Sequence, residues 1–214
     1  MSRILLVSNS HHDRPTEYLT SWFDKIVAIA ENQSDIKIIE LKKEQSNKKE
    51  LVDMIEKENP QLVIFNGHGG YDSIGGFNRE ILIKCDDNEH VLSGKIVHAL
   101  ACRCAKVLGK KCITLGTHCF IGYKEDFQLW TESKDSKEEH LADKTASLFL
   151  DPAYEVIIAI IEGQKTGEAF ARSQNMYRQK LLESIANGQQ ETVLASIFHN
   201  MQHQVCLGDQ TACF

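Results

Sequence analysis

Leu62-Val63-Ile64-Phe65-Asn66-Gly67-His68-Gly69-Gly70 is an apolar run that stops at a histidine set among glycines. It is too short for a helix and is bounded by turn signals, so it reads as a strand buried on both faces. Ile96-Val97-His98-Ala99-Leu100-Ala101-Cys102 repeats the pattern and stops at a cysteine. In an open parallel sheet, residues just past the carboxyl ends of neighbouring strands meet in one crevice. His68 and Cys102 are therefore expected to meet there as a base and its nucleophile.

Outward from this pair, Arg3-Ile4-Leu5-Leu6-Val7-Ser8 predicts a first buried strand. Pro15 opens a helix whose Leu19, Trp22, Phe23, Ile26, Val27 and Ala30 share one face. Residues 35–41 predict a second strand, and Ser46 is expected to cap a helix carrying Leu51, Met54 and Ile55 that ends by Asn59-Pro60. This β-α-β-α-β order predicts an α/β fold: a mainly parallel, doubly wound sheet with right-handed crossovers and helices on both faces.

Beyond the glycines, residues 80–84 and 89–92 are expected to pair as a hairpin around Asp86-Asp87-Asn88. A short helix should begin at Cys102, pass Lys106 and stop at Gly109. Residues 112–115 then predict a fifth strand and residues 119–123 a sixth. Residues 131–141 are polar with charges of both signs, a mobile loop or an exposed helix start. Asp151-Pro152 predicts the first turn of a helix ending at Gly163. Thr166 opens another, closed by Asn187-Gly188; residues 192–203 form one more, and residues 205–209 close the chain as a strand or turn. There is no repeat, low-complexity tract or linker, so residues 1–214 read as one domain.

Composition narrows the function classes. A formal charge of −6 argues against a nucleic-acid binder, which needs a net basic face. The seven cysteines are odd in number and scattered, and no leader-like segment precedes the first strand. A reducing, cytoplasmic setting is expected rather than a disulfide framework. No apolar run approaches membrane-spanning length, and the cysteine in Thr211-Ala212-Cys213-Phe214 is misplaced for prenylation.

A nucleophilic cysteine attacks as thiolate, and the N–H groups of a helix starting at Cys102 would favour that anion. A nearby imidazole positions the proton and later donates it to the leaving amine. Gly69 and Gly70 let the backbone turn sharply and approach a ligand closely. The N–H of Gly69, with that of Cys102, is the expected oxyanion hole.

The blocks Asn66-Gly67-His68-Gly69-Gly70 and Ala99-Leu100-Ala101-Cys102 resemble the two signature blocks of caspase-like cysteine peptidases, a group that includes caspases, gingipains, separase and the bacterial CHAT peptidases. Residues 116–123 resemble the strand and loop after the catalytic cysteine in CHAT and gingipain-like members. Residues 163–169 are similar to their G-x-x-x-x-E-A helix start, and residues 205–209 to their closing L-G-D. The resemblance implies a caspase-like three-layer sandwich and a cysteine endopeptidase with Cys102 as nucleophile and His68 as acid/base. It implies an acyl-enzyme, a protein or peptide substrate and no cofactor. The Gln-Ala-Cys-x-Gly of caspases proper is absent from Leu100-Ala101-Cys102-Arg103-Cys104, so aspartate specificity is not implied. The separation of His68 and Cys102 is shorter than the roughly 50 residues typical of caspases and closer to the compact CHAT-like members. Basic-specific members of the group carry an acid in the specificity pocket, for which Asp126 and Asp13 are the candidates.

Cys104 is a second candidate nucleophile. Cys102, Cys104, Cys112, His118 and Cys119 are soft ligands, but their spacing matches no paired zinc knuckle and no metal is expected. His11 and His12 follow the first strand on the same edge, where an exposed polar loop accounts for them. Lys42-Lys43 and Lys48-Lys49, each followed by an acid, read as solvated surface. Two rivals share the α/β pattern. One is a flavodoxin-like cofactor binder using Ser8-Asn9-Ser10. The other is an inactive recognition module using the same cleft, and a bound activating partner or a cleavage event is a further way to assemble the site.

Overall fold

The computed structural model describes residues 2–33, 35–132 and 135–214. Strands β1 (Arg3–Asn9), β2 (Ile36–Lys42), β3 (Leu62–Asn66), β6 (Ile96–Leu100), β7 (Cys119–Tyr123) and β8 (Gln204–Gly208) form one sheet in the order β2-β1-β3-β6-β7-β8. The first five are parallel, and β8 returns antiparallel to β7. A separate ribbon pairs β4 (Ser73–Gly75) with β5 (Ile81–Lys84).

Strand alternation sends the apolar side chains to two cores. Leu5, Val7, Leu62, Ile64, Leu100 and Ile121 meet α1 (Arg14–Glu31) and α5 (Lys144–Ile161) on one face. Leu6, Val63, Phe65, Val97, Ala99 and Phe120 meet α2 (Lys48–Glu58) and α3 (Leu108–Thr114) on the other. β3 and β6 are buried end to end because both of their faces are covered. Each such valine, leucine, isoleucine or phenylalanine contributes about 1.5–3 kcal/mol of burial. The short α4 (Lys137–Ala142) packs against α1, while α6 (Thr166–Ala186) packs on α5 and α7 (Glu191–His203) on α6. The expected mixed, mostly parallel α/β sandwich is thus the architecture. No helix among the described residues is long and apolar enough to cross a membrane.

Several local expectations fail for identifiable reasons. Residues 112–115 are not a strand; residues 108–114 form α3, with Leu108 and Cys112 one helical turn apart on the buried side. β6 and β7 are parallel neighbours, and the crossover between them uses up this segment. No helix begins at Cys102 either: residues 102–107 form successive turns. The hairpin is β4–β5, and residues 89–92 form a 3-10 turn. There the Glu89 carboxylate accepts the N–H groups of Asp86 (2.9 Å) and Asp87 (3.1 Å), and Asn88 bonds Lys84 N–H (3.0 Å) and Leu82 C=O (2.7 Å). These side chains take the backbone groups that a ladder would have used.

The helix expected to open at Asp151-Pro152 starts earlier, with Asp143 as its cap through Ala146 N–H at 2.8 Å, and Pro152 lies inside it. Asp151 instead accepts from Trp22 Nε1 at 2.9 Å, and Pro152 C=O from Ser173 Oγ at 2.7 Å. Asn47, not Ser46, caps α2; Ser46 is buried with its Oγ 2.7 Å from that of Ser8. Of residues 131–141, 133–134 lie outside the described residues, and those from Lys137 on belong to α4, capped by Ser136.

Candidate active site

The chain leaves β1 for β2 on one side and returns as β3 on the other side of β1. The connections diverge at the carboxyl ends of β1 and β3, which is where open α/β sheets form a binding crevice. The loop after β1 carries His11, His12 and Asp13; the loop after β3 carries His68. Cys102 follows the next strand over, since Asn66 is in register with Leu100 and Gly67 N–H donates to Leu100 C=O at 3.3 Å.

A buried network fixes the end of β3. Asn66 Nδ2 donates to Asn9 Oδ1 at 2.7 Å, Tyr154 Oη donates to Asn66 Oδ1 at 3.0 Å, and Asn9 Nδ2 donates to Glu40 at 2.6 Å. Ser10 N–H donates to Asn66 C=O at 3.1 Å. Side chains of the Ser8-Asn9-Ser10 loop are thus turned toward protein partners. The glycines matter through close approach rather than through unusual dihedrals. A Cβ on Gly69 would lie 2.5 Å from Cys102 C=O and 3.1 Å from Cys102 N, so the two backbones touch. A Cβ on Gly67 would strike Ser10 Oγ and Gly75 C=O.

His68 is oriented by a partner far away in sequence: its Nε2 lies 2.6 Å from Asp13 Oδ2. Asp13 also caps α1, accepting from Thr16 N–H at 3.2 Å and Thr16 Oγ1 at 2.8 Å. Burial pushes the Asp13 carboxyl up, but the hydrogen bonds from Thr16 and His68 outweigh it and hold it below the usual aspartate value. With Nε2–H given to Asp13, the imidazole keeps its Nδ1 lone pair free.

Cys102 is half-buried. Its thiol is pushed above the ordinary value by burial first and by the nearby Asp126 charge, against a lowering hydrogen bond from the Phe127 N–H. The helix start anticipated from sequence is absent, and burial and the Asp126 charge oppose the thiolate it was to favour. Arg103 sits at φ +61° in that turn, its N–H bonded to Glu125 C=O at 3.2 Å and its guanidinium paired with Asp126. Cys104 is fully buried, its Sγ 3.3 Å from Ala101 C=O and its thiol pushed up to about 12 by burial. Of the two cysteines, only Cys102 has access to ligand.

His68 and Cys102 line one cavity of about 220 Å³, with Pro15, Thr16, Leu19, Gly67, Leu100, Ala101, Phe127 and Leu129 as its other walls. No hydrogen bond joins them, and among the described residues neither the Gly69 N–H nor the Cys102 N–H has a protein acceptor. Asp13 and Asp126 are absent from the cavity wall, each engaged with its own partner. The sequence reading missed two roles here. Asp13 is the partner of His68, and His12 is no exposed loop residue: its side chain is 10 % exposed and its ring packs edge-on to His68 and Phe77 at 5.3 and 5.9 Å. Neither contact leaves a local signal, apart from the Asp13-x-x-Thr16 capping pattern.

No protein-family model matches the chain, and no curated protein does.

Proposed function

We propose that the chain is a cysteine endopeptidase of the caspase-like kind, with Cys102 as nucleophile and His68 as acid/base. One observation carries the reading: His68 and Cys102 share the walls of a single cavity at the carboxyl edge of a parallel sheet, with the Gly69 backbone pressed against Cys102. The resemblance of both strand-end blocks to that family supports it.

In this reading the Cys102 thiol gives its proton to His68 Nδ1 as sulfur attacks the peptide carbonyl. Asp13 accepts Nε2–H and stabilises the imidazolium so formed. The uncommitted N–H groups of Gly69 and Cys102 take the tetrahedral oxyanion. His68 then protonates the departing amine, and water releases the acyl group. The walls supplied by Leu19, Leu100, Phe127 and Leu129 favour an apolar side chain before the scissile bond. A cationic residue would need Asp126 to exchange its Arg103 partner. A folded protein or flexible peptide is the substrate class, in a cytoplasmic setting.

The raised Cys102 thiol favours a second reading, a recognition module that binds peptide without turnover or awaits an activating partner. A fluorogenic peptide library, assayed with and without cell extract, separates the two. The peptidase reading expects cleavage lost in both Cys102→Ala and His68→Ala; peptide binding without cleavage under either condition would favour the module.

A further inference from the structure

His12, Asp13 and His68 each offer a ligand atom within 4.8 Å of the other two. We propose that these three side chains form a zinc(II) site at the switch point of the sheet, and that the bound metal holds His68 out of action. The metal site rests on geometry alone; only its inhibitory consequence rests on the peptidase reading.

His12 carries the argument. Both of its ring nitrogens are buried and have no hydrogen-bond partner. Its Nε2 lies 3.7 Å from Asp13 Oδ2, too long for a hydrogen bond yet directed at the carboxylate that binds His68. A buried imidazole with two unsatisfied nitrogens is costly, and native structures retain such groups when something else satisfies them. The ring is also held in place, edge-on to Phe77 at 5.9 Å and to His68 at 5.3 Å.

Two imidazoles and one carboxylate suit zinc, at bond lengths of about 2.0–2.2 Å with water in the fourth position. Tetrahedral bonds of that length put ligand atoms about 3.3 Å apart. The 2.6 Å contact between His68 and Asp13 has to open and the 3.7 Å contact between His12 and Asp13 has to close, both by less than an ångström. Magnesium and calcium, which demand oxygen ligands, do not suit this set. Metal on His68 Nε2 displaces its proton to Nδ1. The ring then has no lone pair to accept the Cys102 proton, and Asp13 is diverted from it.

Titration of the metal-free chain with zinc chloride by calorimetry, in reducing buffer, tests the site. One equivalent should bind, with affinity lowered at least tenfold in His12→Ala and in His12→Gln, and kept within threefold in Cys102→Ala. Cobalt(II) should give the visible absorption of a tetrahedral centre lacking a thiolate charge-transfer band. Equal affinity in wild type and both His12 variants, loss of binding in Cys102→Ala, or a thiolate band would overturn the proposal. Labelling of Cys102 by a peptidyl acyloxymethyl ketone supplies the second arm. Zinc should slow it at least tenfold in wild type and less than twofold in His12→Ala. Zinc bound through His12 without slowed labelling would overturn the inhibitory part. No labelling even without zinc would count against the peptidase reading and leave the binding result standing.

Discussion

The two strand ends that face each other across the cavity are held in different ways. At the end of β3, His68 is fixed from several sides: Asn66 is locked into Asn9 and Tyr154, Gly67 and Gly69 admit no side chain, and Asp13 grips the imidazole at 2.6 Å. At the end of β6, Cys102 sits in a run of turns that includes a left-handed Arg103, pinned by the half-exposed Arg103–Asp126 pair. Exposed ion pairs of that kind contribute about 0–1 kcal/mol. The difference lies in what does the holding: side-chain hydrogen bonds fix the His68 end, while the turn at Cys102 is tied down by backbone bonds such as Arg103 N–H to Glu125 C=O at 3.2 Å and Ala105 N–H to Tyr123 C=O at 3.1 Å.

The largest expected effect breaks the nucleophile side. Cys102→Ala should abolish peptide cleavage, whereas Cys104→Ala should keep most of it and lose about 1 kcal/mol of stability for its buried sulfur, read by urea denaturation. A dead Cys104→Ala with an active Cys102→Ala would place the nucleophile in the core rather than in the cavity.

Next comes the His68 side. Asp13→Asn should lower kcat by about 10²- to 10⁴-fold with little change in KM. Asp13 also ties stability to pH. Its folded carboxyl is held below the usual value, so its stabilising bonds are present above the unfolded aspartate pKa and are lost as pH falls through the depressed one. A pH series of thermal melts should therefore show destabilisation on the acid side that is weaker in Asp13→Asn.

A smaller, purely structural change tests the rigidity of the β3 end. Asn66→Ala leaves the buried Asn9 Oδ1 without its donor, while Tyr154 Oη keeps the Leu19 C=O at 2.8 Å, and should cost about 1–3 kcal/mol. Unchanged stability would mean that this network does not hold His68. The smallest effect sharpens the Cys102 end. Asp126→Asn removes a negative charge that raises the Cys102 thiol, so the pH midpoint for alkylation of Cys102 by iodoacetamide should move downward. Stability should change by less than about 1 kcal/mol.

What was legible in the sequence divides along the same physical line. β1, β3 and β6 could be read because strands covered on both faces are continuous apolar runs, and the carboxyl-end rule then brings His68 and Cys102 to one edge. α3 reads locally as a strand because Cys112-Ile113-Thr114-Leu115 is short and largely apolar, and local pattern does not say that a crossover must fit there. Pro152 misled because Asp-Pro is a strong opening signal, while the actual cap, Asp143, earns its place through Tyr18 Oη at 2.8 Å, a contact from a distant helix. The Asp13–His68 bond and the burial of His12 arise where separate loops converge, so no window of sequence contains them.

The central claim is that Cys102 reacts because His68 serves it from the same cavity. Intact-protein and peptide mass spectrometry after treatment with a peptidyl acyloxymethyl ketone tests it most directly. A single adduct on Cys102 in wild type is expected, absent in Cys102→Ala and formed at least about 10²-fold more slowly in His68→Ala. An adduct on another cysteine, or a Cys102 adduct formed equally fast without His68, would contradict the account.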